Sequence, residues 1–466
     1  MAQAKRPRLR PQARSLVDYL RYFLTPDVWK QAHQACGKPW PASRWDIQPL
    51  LLTLVVMTWC CGDAQAERFE SAKAFCIVCR VKQKRPGRTV PGFQKALIRL
   101  PMPVLRALAQ GVRRSFTTLF DLWVDGFIPL GCDGSRLNCP RTAELERFLS
   151  GANQKHSAPS VWLTAVVHLR LGLPWCWRFG KGDASERRHL QAMLPLLPVG
   201  TLLVADAGYI GNELMVVLAA QTSFLIRGCS KAPLYTREQV QVEEFQEGEC
   251  LYWPKEAQEQ GLPALPVRAL RLPTKAKADG KRQDVWLLTN VLSSARLSRT
   301  QASKFYRWRW ENEGLFRTYK RTLNKLKLES RMIALVHREA EGSLLALQLL
   351  LAQGALVLPR SAAAEPAAAE PAAAEPAAAK SAAASPRRIL LEIRREIQAA
   401  VGRRRRRSYG QRLHQAAPRQ RRQRTTAKQR RPWPARAAHQ APKPPRFLKL
   451  TEELNALLEK IKGESE

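Results

Sequence analysis

The 466-residue chain is short of acid: 39 Asp and Glu stand against 77 Lys and Arg, a formal net charge of +38. A field of that sign points to polyanionic partners, nucleic acid ahead of an anionic membrane surface. The chain also lacks any unbroken apolar run of about 18 residues, the length a membrane helix needs. Its two most apolar stretches, IQPLLLTLVVMTWCC (47–61) and 343–358, are too short or interrupted by Gln, and read as core helices. The basic start MAQAKRPRLRPQ leads into no signal-type apolar run, so a cytoplasmic location without membrane contact is expected. No Walker-type loop and no Ser/His/Asp or Cys/His constellation occurs, so ATP-driven activity finds no support. The ten cysteines show no disulfide-type regularity and read as reduced thiols. Cys76 and Cys79 (CIVC) have no second CxxC or HxxxH to complete a zinc site, and are read as buried helix residues. His156, His168 and His189 show no ligand spacing.

What is present divides into zones. Residues 1–125 are mostly helical, with apolar residues at helical spacing in LVDYLRYFL, LLLTLVVM, FQKALIRL and VLRALAQGVRRSF. The basic, Pro/Gly-punctuated loop RVKQKRPGRTVPG lies among them, and such a unit fits a DNA-end binder or simply a bundle with a solvated loop. From 126 to 358 the texture is α/β: strand-like GFIPLGCDG, a hairpin in SVWLTAVVHLRLGLPWCWRF, a helix in ASERRHLQAMLPLL, then buried strands in TLLVADAGYIG and TSFLIRGC. Residues 231–283 are polar with short strand candidates and read as a β-rich insertion, and a long helical stretch from about 299 closes the domain.

Beyond 358 the character changes. Residues 359–386 hold a five-residue Ala/Pro repeat, which proline keeps from forming a continuous helix and makes a semi-stiff spacer. Residues 387–466 are expected to be a disordered basic tail with a short terminal helix. Between 387 and 449 it carries 21 Lys and Arg against 2 Glu, including Arg403, Arg404, Arg405, Arg406 and Arg407. Such a tract binds phosphates without reading sequence. Deletion after about residue 360 should then weaken binding to all DNA and flatten its salt dependence.

The segment YRWRWENEGLFRTYK (306–320) is the densest in chemistry. On an ideal helical wheel with Tyr306 at zero, Arg309, Glu313 and Lys320 fall at about 300°, 340° and 320°. Apolar residues fill the adjoining arc, and Glu311 lies at about 140°, nearly opposite. One acid among two cations and a phenol suits metal binding beside phosphate-holding neighbours, although a charged surface helix explains the segment alone equally well. Upstream, Asp133 ends the apolar run GFIPLGC and Asp206 ends TLLVA, each with Gly one or two residues on, where the backbone turns and a ligand can approach. Two-metal phosphodiester chemistry needs such a set of carboxylates.

These three blocks resemble DDE transposases of bacterial insertion sequences, in particular the IS-four family. Tyr306, Arg309, Glu313 and Lys320 reproduce its Y-(2)-R-(3)-E-(6)-K signature, and DGSRL and DAGYIG resemble its other two blocks. The resemblance implies an RNase H-like catalytic core with a β-rich insertion before the last catalytic helix. It implies Asp133, Asp206 and Glu313 as catalytic metal ligands for two Mg²⁺ ions, with Mn²⁺ as a substitute. Tyr306, Arg309 and Lys320 would hold phosphates at the transposon end. The expected activity is cut-and-paste transposition: hydrolysis at the ends, often through a DNA hairpin, then 3′-OH attack on target DNA. Transposon-end and target duplexes are the expected partners, with a dimer in the synaptic complex at the bacterial nucleoid. A catalytically inactive DNA-binding derivative and a structure-specific nuclease are the alternatives.

A base-stacking platform is open among Trp310, Trp253 and Trp286, while Trp308 lies on the apolar face. Glu186 fits a helix-start acid after a cap, or a group supporting the metals from outside. Asn312, alone in the apolar stripe, has no account at this level.

Overall fold

The computed structural model describes residues 15–41, 43–79, 85–149, 158–229, 232–242, 245–272, 284–357, 385–402 and 409–417, with Glu452 and Ala456. The chain divides into two compact units, Met1–Arg419 and Gln420–Glu466. In the second only Glu452 and Ala456 are described, both helical, in the stretch expected to form the terminal helix. Residues 359–384 of the Ala/Pro linker and the run Arg403, Arg404, Arg405, Arg406 and Arg407 lie outside the described residues, so those expectations are not addressed.

Among the described residues six helices precede the sheet: α1 (Leu16–Phe23), α2 (Pro26–Gln34), α3 (Ile47–Trp59), α4 (Gln65–Cys79), α5 (Val90–Arg99) and α6 (Met102–Leu119). Their starts are written locally. Ser15 and Asp18 form a reciprocal capping box at α1, and Thr25 and Thr89 cap α2 and α5 ahead of an early proline.

The sheet follows: β1 (Ile128–Asn138), α7 (Ala143–Leu149), β2 (Ser160–His168), β3 (Leu173–Lys181), α8 (Glu186–Met193), β4 (Thr201–Ala205), α9 (Asn212–Gln221), β5 (Ser223–Arg227), β6 (Leu234–Tyr235), β7 (Gly248–Tyr252), α10 (Lys255–Glu259), β8 (Leu265–Leu272) and β9 (Val285–Thr289). Then come α11 (Arg299–Trp308), α12 (Trp310–Arg317), α13 (Ile333–Val357), α14 (Pro386–Gly402) and α15 (Tyr409–Ala416).

The strands make one nine-stranded mixed sheet in the order β3-β2-β1-β4-β5-β9-β8-β7-β6. β1 is antiparallel to β2 and parallel to β4, and β4 is parallel to β5. The 231–283 segment thus gives strands to the main sheet: β7 and β8 extend it through β9, which pairs with β5. Alternation along the strands separates two apolar clusters. Leu130, Cys132, Leu203 and Ala205 belong to the large one, continuous with the helical layer. Phe127, Leu202 and Val204 belong to a smaller one with Phe305 of α11.

The helical layer is organised on α3 and α13, both apolar on nearly every side. The most apolar window of α13 is 89% buried, which makes it a core helix despite a length sufficient to cross a membrane. Two of its buried amides are anchored: Gln348 Nε2 donates to the Pro174 carbonyl, although its Oε1 has no partner among the described residues, and Gln353 accepts from the Tyr409 hydroxyl at 2.7 Å.

Residues 386–402 and 409–417 depart from the expected disordered tail. α14 buries Ile389, Leu390, Ile393 and Ile397, and the α15 segment buries Tyr409, Leu413 and Ala417. Arg394 Nε donates to the Trp59 carbonyl at 2.8 Å, and the Tyr409 ring stands edge-on to Tyr19 at 5.1 Å. The physical reason is the periodicity of RRILLEIRREIQAAVG, an apolar stripe that the arginine count conceals. Met1–Arg419 is accordingly one compact unit, in which α14 packs on α4 and α13.

Candidate active site

Asp133 lies inside β1, paired with Ala165 of β2, and the strand runs on to Asn138. The expected strand end and turn at Asp133 are therefore corrected, because pairing with β2 continues through DGSRLN. Gly134 serves another need: a Cβ there would come within 2.3 Å of Glu186 Oε1. Asp206 does end its strand. It caps a short 3₁₀ turn, Ala207–Tyr209, its Oδ1 accepting the Gly208 amide at 2.9 Å. Asp133 Oδ1 likewise accepts the Gly134 amide at 2.8 Å.

The two aspartates are neighbours by register. Gly131 of β1 pairs with Val204 of the adjacent parallel β4, and each aspartate lies two residues further along. Both therefore project from the same face, the one bearing Phe127, Leu202 and Val204, against which α11 packs. α12 rests on this face so closely that a Cβ at Gly131 would meet Asn312 Nδ2 at 2.6 Å. This accounts for Asn312: it is fully buried on β1, with both amide atoms lacking a hydrogen-bond partner.

Ser298 and Gln301 form a capping box that starts α11. The wheel's single helix is broken at Arg309, where the Arg309 amide bonds to the Tyr306 carbonyl and the Asn312 amide to the Arg309 carbonyl, three-residue steps that tighten the turn. A π-turn, Thr318–Thr322, then widens it. The Arg309 guanidinium lies at this break, 3.9 Å from Asp133 Oδ2 and over the rings of Tyr306 and Trp310, at 5.8 and 5.2 Å from their centroids. Glu313, half-buried one turn on, is among the charges acting on Asp133. Lys320 sits half-buried in the π-turn, its ammonium pushed down by burial. Trp310 is 61% exposed, whereas Trp308 packs edge-on to Phe305, Trp286 stacks on Phe245, and Trp253 donates to the Leu262 carbonyl. His168 is buried on the Leu122 carbonyl and His189 is bonded to Thr164.

Burial pushes the Asp133 carboxyl above its ordinary value; the Gly134 amide and Arg309 oppose this, and the charges of Asp206 and Glu313 add to it. A carboxyl raised in the folded state contributes stability that is present below its unfolded pKa and lost as pH rises through the folded value. Asp133→Asn should therefore raise the melting temperature in EDTA at pH 7 by a degree or more, an advantage that shrinks toward pH 4. Calorimetry at the two pH values checks this, and a lower melting temperature at pH 7 would refute it.

Among the described residues no group of three His, Cys, Asp or Glu side chains is arranged, as it stands, to hold a metal ion. The chemistry of the set nonetheless fits a hard divalent cation: Asp133, Asp206 and Glu313 offer only carboxylate oxygens, and Arg309 is the cation beside them.

Residues 132–349 match the family model described as a transposase DDE domain. The match supports a DDE transposase. It spans Asp133, Asp206, Glu313 and the whole of α11, α12 and the π-turn. Among curated proteins no sequence matches the chain. A cryo-EM structure of a piggyBac transposase synaptic complex with hairpin DNA aligns loosely, with a TM-score of 0.45 and 10% identity over 86% of this chain and 84% of that one.

Proposed function

We propose that the chain is a cut-and-paste transposase of the IS-four type, which cleaves DNA at the ends of its element and joins the freed 3′-OH to target DNA. The observation that carries the reading is that Asp133 and Asp206 lie side by side on the sheet face that α12, the helix bearing Glu313, covers, all inside the matched segment. We read β3-β2-β1-β4-β5 as its RNase H-like core, three antiparallel strands followed by two parallel ones.

In this reading Asp133, Asp206 and Glu313 hold two Mg²⁺ ions, which supply an activated nucleophile and charge neutralisation at the leaving oxygen. The chain's own residues position the DNA. Arg309, paired with Asp133 in the free protein, turns to a phosphate of the bound end, joined there by Tyr306 and Lys320. Trp310, exposed beside them, offers a face on which an unstacked base can rest. Two ends are held in a dimeric synaptic complex, and the work takes place on the nucleoid of a bacterial cytoplasm.

The test is incubation of the full-length protein with the terminal repeats that flank its gene, target DNA and Mg²⁺. End cleavage followed by strand transfer is expected. Cleavage without joining would mark a nuclease, and binding without cleavage an inactive derivative.

A further inference from the structure

Each of the two aspartates has a guanidinium close by, and the two guanidiniums come from opposite faces of the sheet. Arg309 reaches Asp133 from the front, where α11 and α12 lie. Arg187 belongs to α8, which packs on β1, β2 and β3 from the reverse face, with Glu186 standing above Gly134. Its Nε donates to the Gly208 carbonyl at 2.8 Å, and the Gly208 amide donates in turn to Asp206 Oδ1 at 2.9 Å. The guanidinium lies against Gly211, where a Cβ would come within 2.7 Å of Arg187 Nη1. Arg187 therefore sits on the turn that Asp206 caps.

Arg309 is spent on Asp133, but Arg187 is not spent on an acid. It is exposed, and among the described residues neither of its terminal nitrogens has an acceptor. It is nevertheless fixed. Ser185 caps α8, Leu190 and Met193 bury the helix's inner face, and His189 is bonded to Thr164 of β2 at 2.9 Å. With Nε held by a carbonyl, Nη1 and Nη2 remain as a planar two-donor fork, the geometry that takes a phosphate. A fork already anchored has little side-chain freedom left to lose on binding.

Position selects the phosphate. With Arg309, Tyr306 and Lys320 holding the element's end from the front, the strand continues past the aspartates to the turn after Asp206, and the DNA there is host DNA. The uncut end and the joined product share one connectivity, element 3′ oxygen to phosphorus to host strand. A single contact on the host side thus serves both cutting and joining. We propose that Arg187 holds a phosphate of the host DNA, in the flank of the uncut end and in the target strand of the joined product. This rests on the transposase reading, which supplies the DNA.

The test is binding of the full-length protein, in EDTA, to two duplexes: the terminal repeat with its host flank, and the same repeat ending at the cut site. Arg187→Ala should lower affinity for the flanked repeat by about tenfold and its salt slope by about one unit, with the pre-cut repeat within about twofold of wild type. Arg188→Ala removes an equal charge from the exposed next residue, about 100° round the helix, and should stay within about twofold on both duplexes. Equal losses on the two duplexes would mark Arg187 as a clasp of the Asp206 turn alone and overturn the proposal. So would an unchanged slope in Arg187→Ala, or an equal loss in Arg188→Ala. Should Arg187→Ala fail to fold, Arg187→Gln, which keeps a donor for the Gly208 carbonyl without the charge, should show the same flank-dependent loss and decides the matter alone. A wild type that shows this pattern but neither cuts nor joins would overturn the transposase reading and leave the contact standing. A wild type that cuts and joins while Arg187→Ala binds the flanked repeat unchanged does the reverse.

Discussion

Glu313→Ala is expected to lower end cleavage by about a thousandfold or more, while Glu311→Ala stays within a few-fold of wild type. Charge neutralisation by a bound metal contributes several kcal/mol to a phosphoryl-type transition state, and each 1.4 kcal/mol is tenfold in rate. The Glu313 charge reaches Asp133, across a face where α12 lies directly on β1. Glu311 precedes it by two residues, on the other side of the helix. The two variants form a matched pair in composition, helix propensity and net charge, so general damage to α12 would affect both. Rates on end DNA under single-turnover conditions, with binding measured separately, give the comparison. Loss in Glu311→Ala with retention in Glu313→Ala would refute the assignment.

Truncation has the second large effect, and it depends on where the chain is cut. Ending at residue 384 removes α14 and α15 and strips Ile389, Leu390, Ile393, Ile397, Tyr409 and Leu413 from the core. Burying each such side chain contributes about 1.5–3 kcal/mol. Even discounted for a compact unfolded state, the sum is on the order of 10 kcal/mol, comparable to the whole stability of a domain. That variant should be insoluble or molten. A chain ending at Arg419 should keep its fold and melting temperature, yet lose the ten Lys and Arg, without one acid, that lie between 420 and 449. Its affinity should fall for every DNA sequence, with a salt slope shallower by several units. An unchanged slope would mean that this segment does not contact phosphate. The cut near residue 360 that composition alone recommends would confound the two effects.

The contrast between α12 and α14 shows what was legible in the sequence. Tyr306, Arg309, Glu313 and Lys320 stand out because their spacing is a pattern with few accidental matches, and Asp133 and Asp206 because each follows an apolar run. That these acids would lie near one another was therefore readable. Details set by tertiary contact were not. Gly134 looks like a turn former, and only the Glu186 carboxylate above it explains its missing side chain within a continuing strand. Asn312 reads as a misplaced polar residue until Gly131 of β1 is seen against it. The break at Arg309 leaves no local mark, since neither Pro nor Gly lies beside it. α14 was hidden by averaging: its isoleucines and leucines have helical spacing, but the charge of their arginine-rich surroundings dominated the reading. Glu186 was visible as a helix-start acid, and it is one; its place above Gly134 depends on where α8 sits on the sheet.

The docking of α14 and α15 also sets a timetable for synthesis. α1 packs with α13 and α14, and Tyr19 must wait for Tyr409, which follows it far along the chain. Domains emerging at about 5–20 residues per second usually fold as each is completed. Here the layer around α1 stays unfinished until residue 409 has been made, a window of many seconds in which its apolar helix faces stay uncovered.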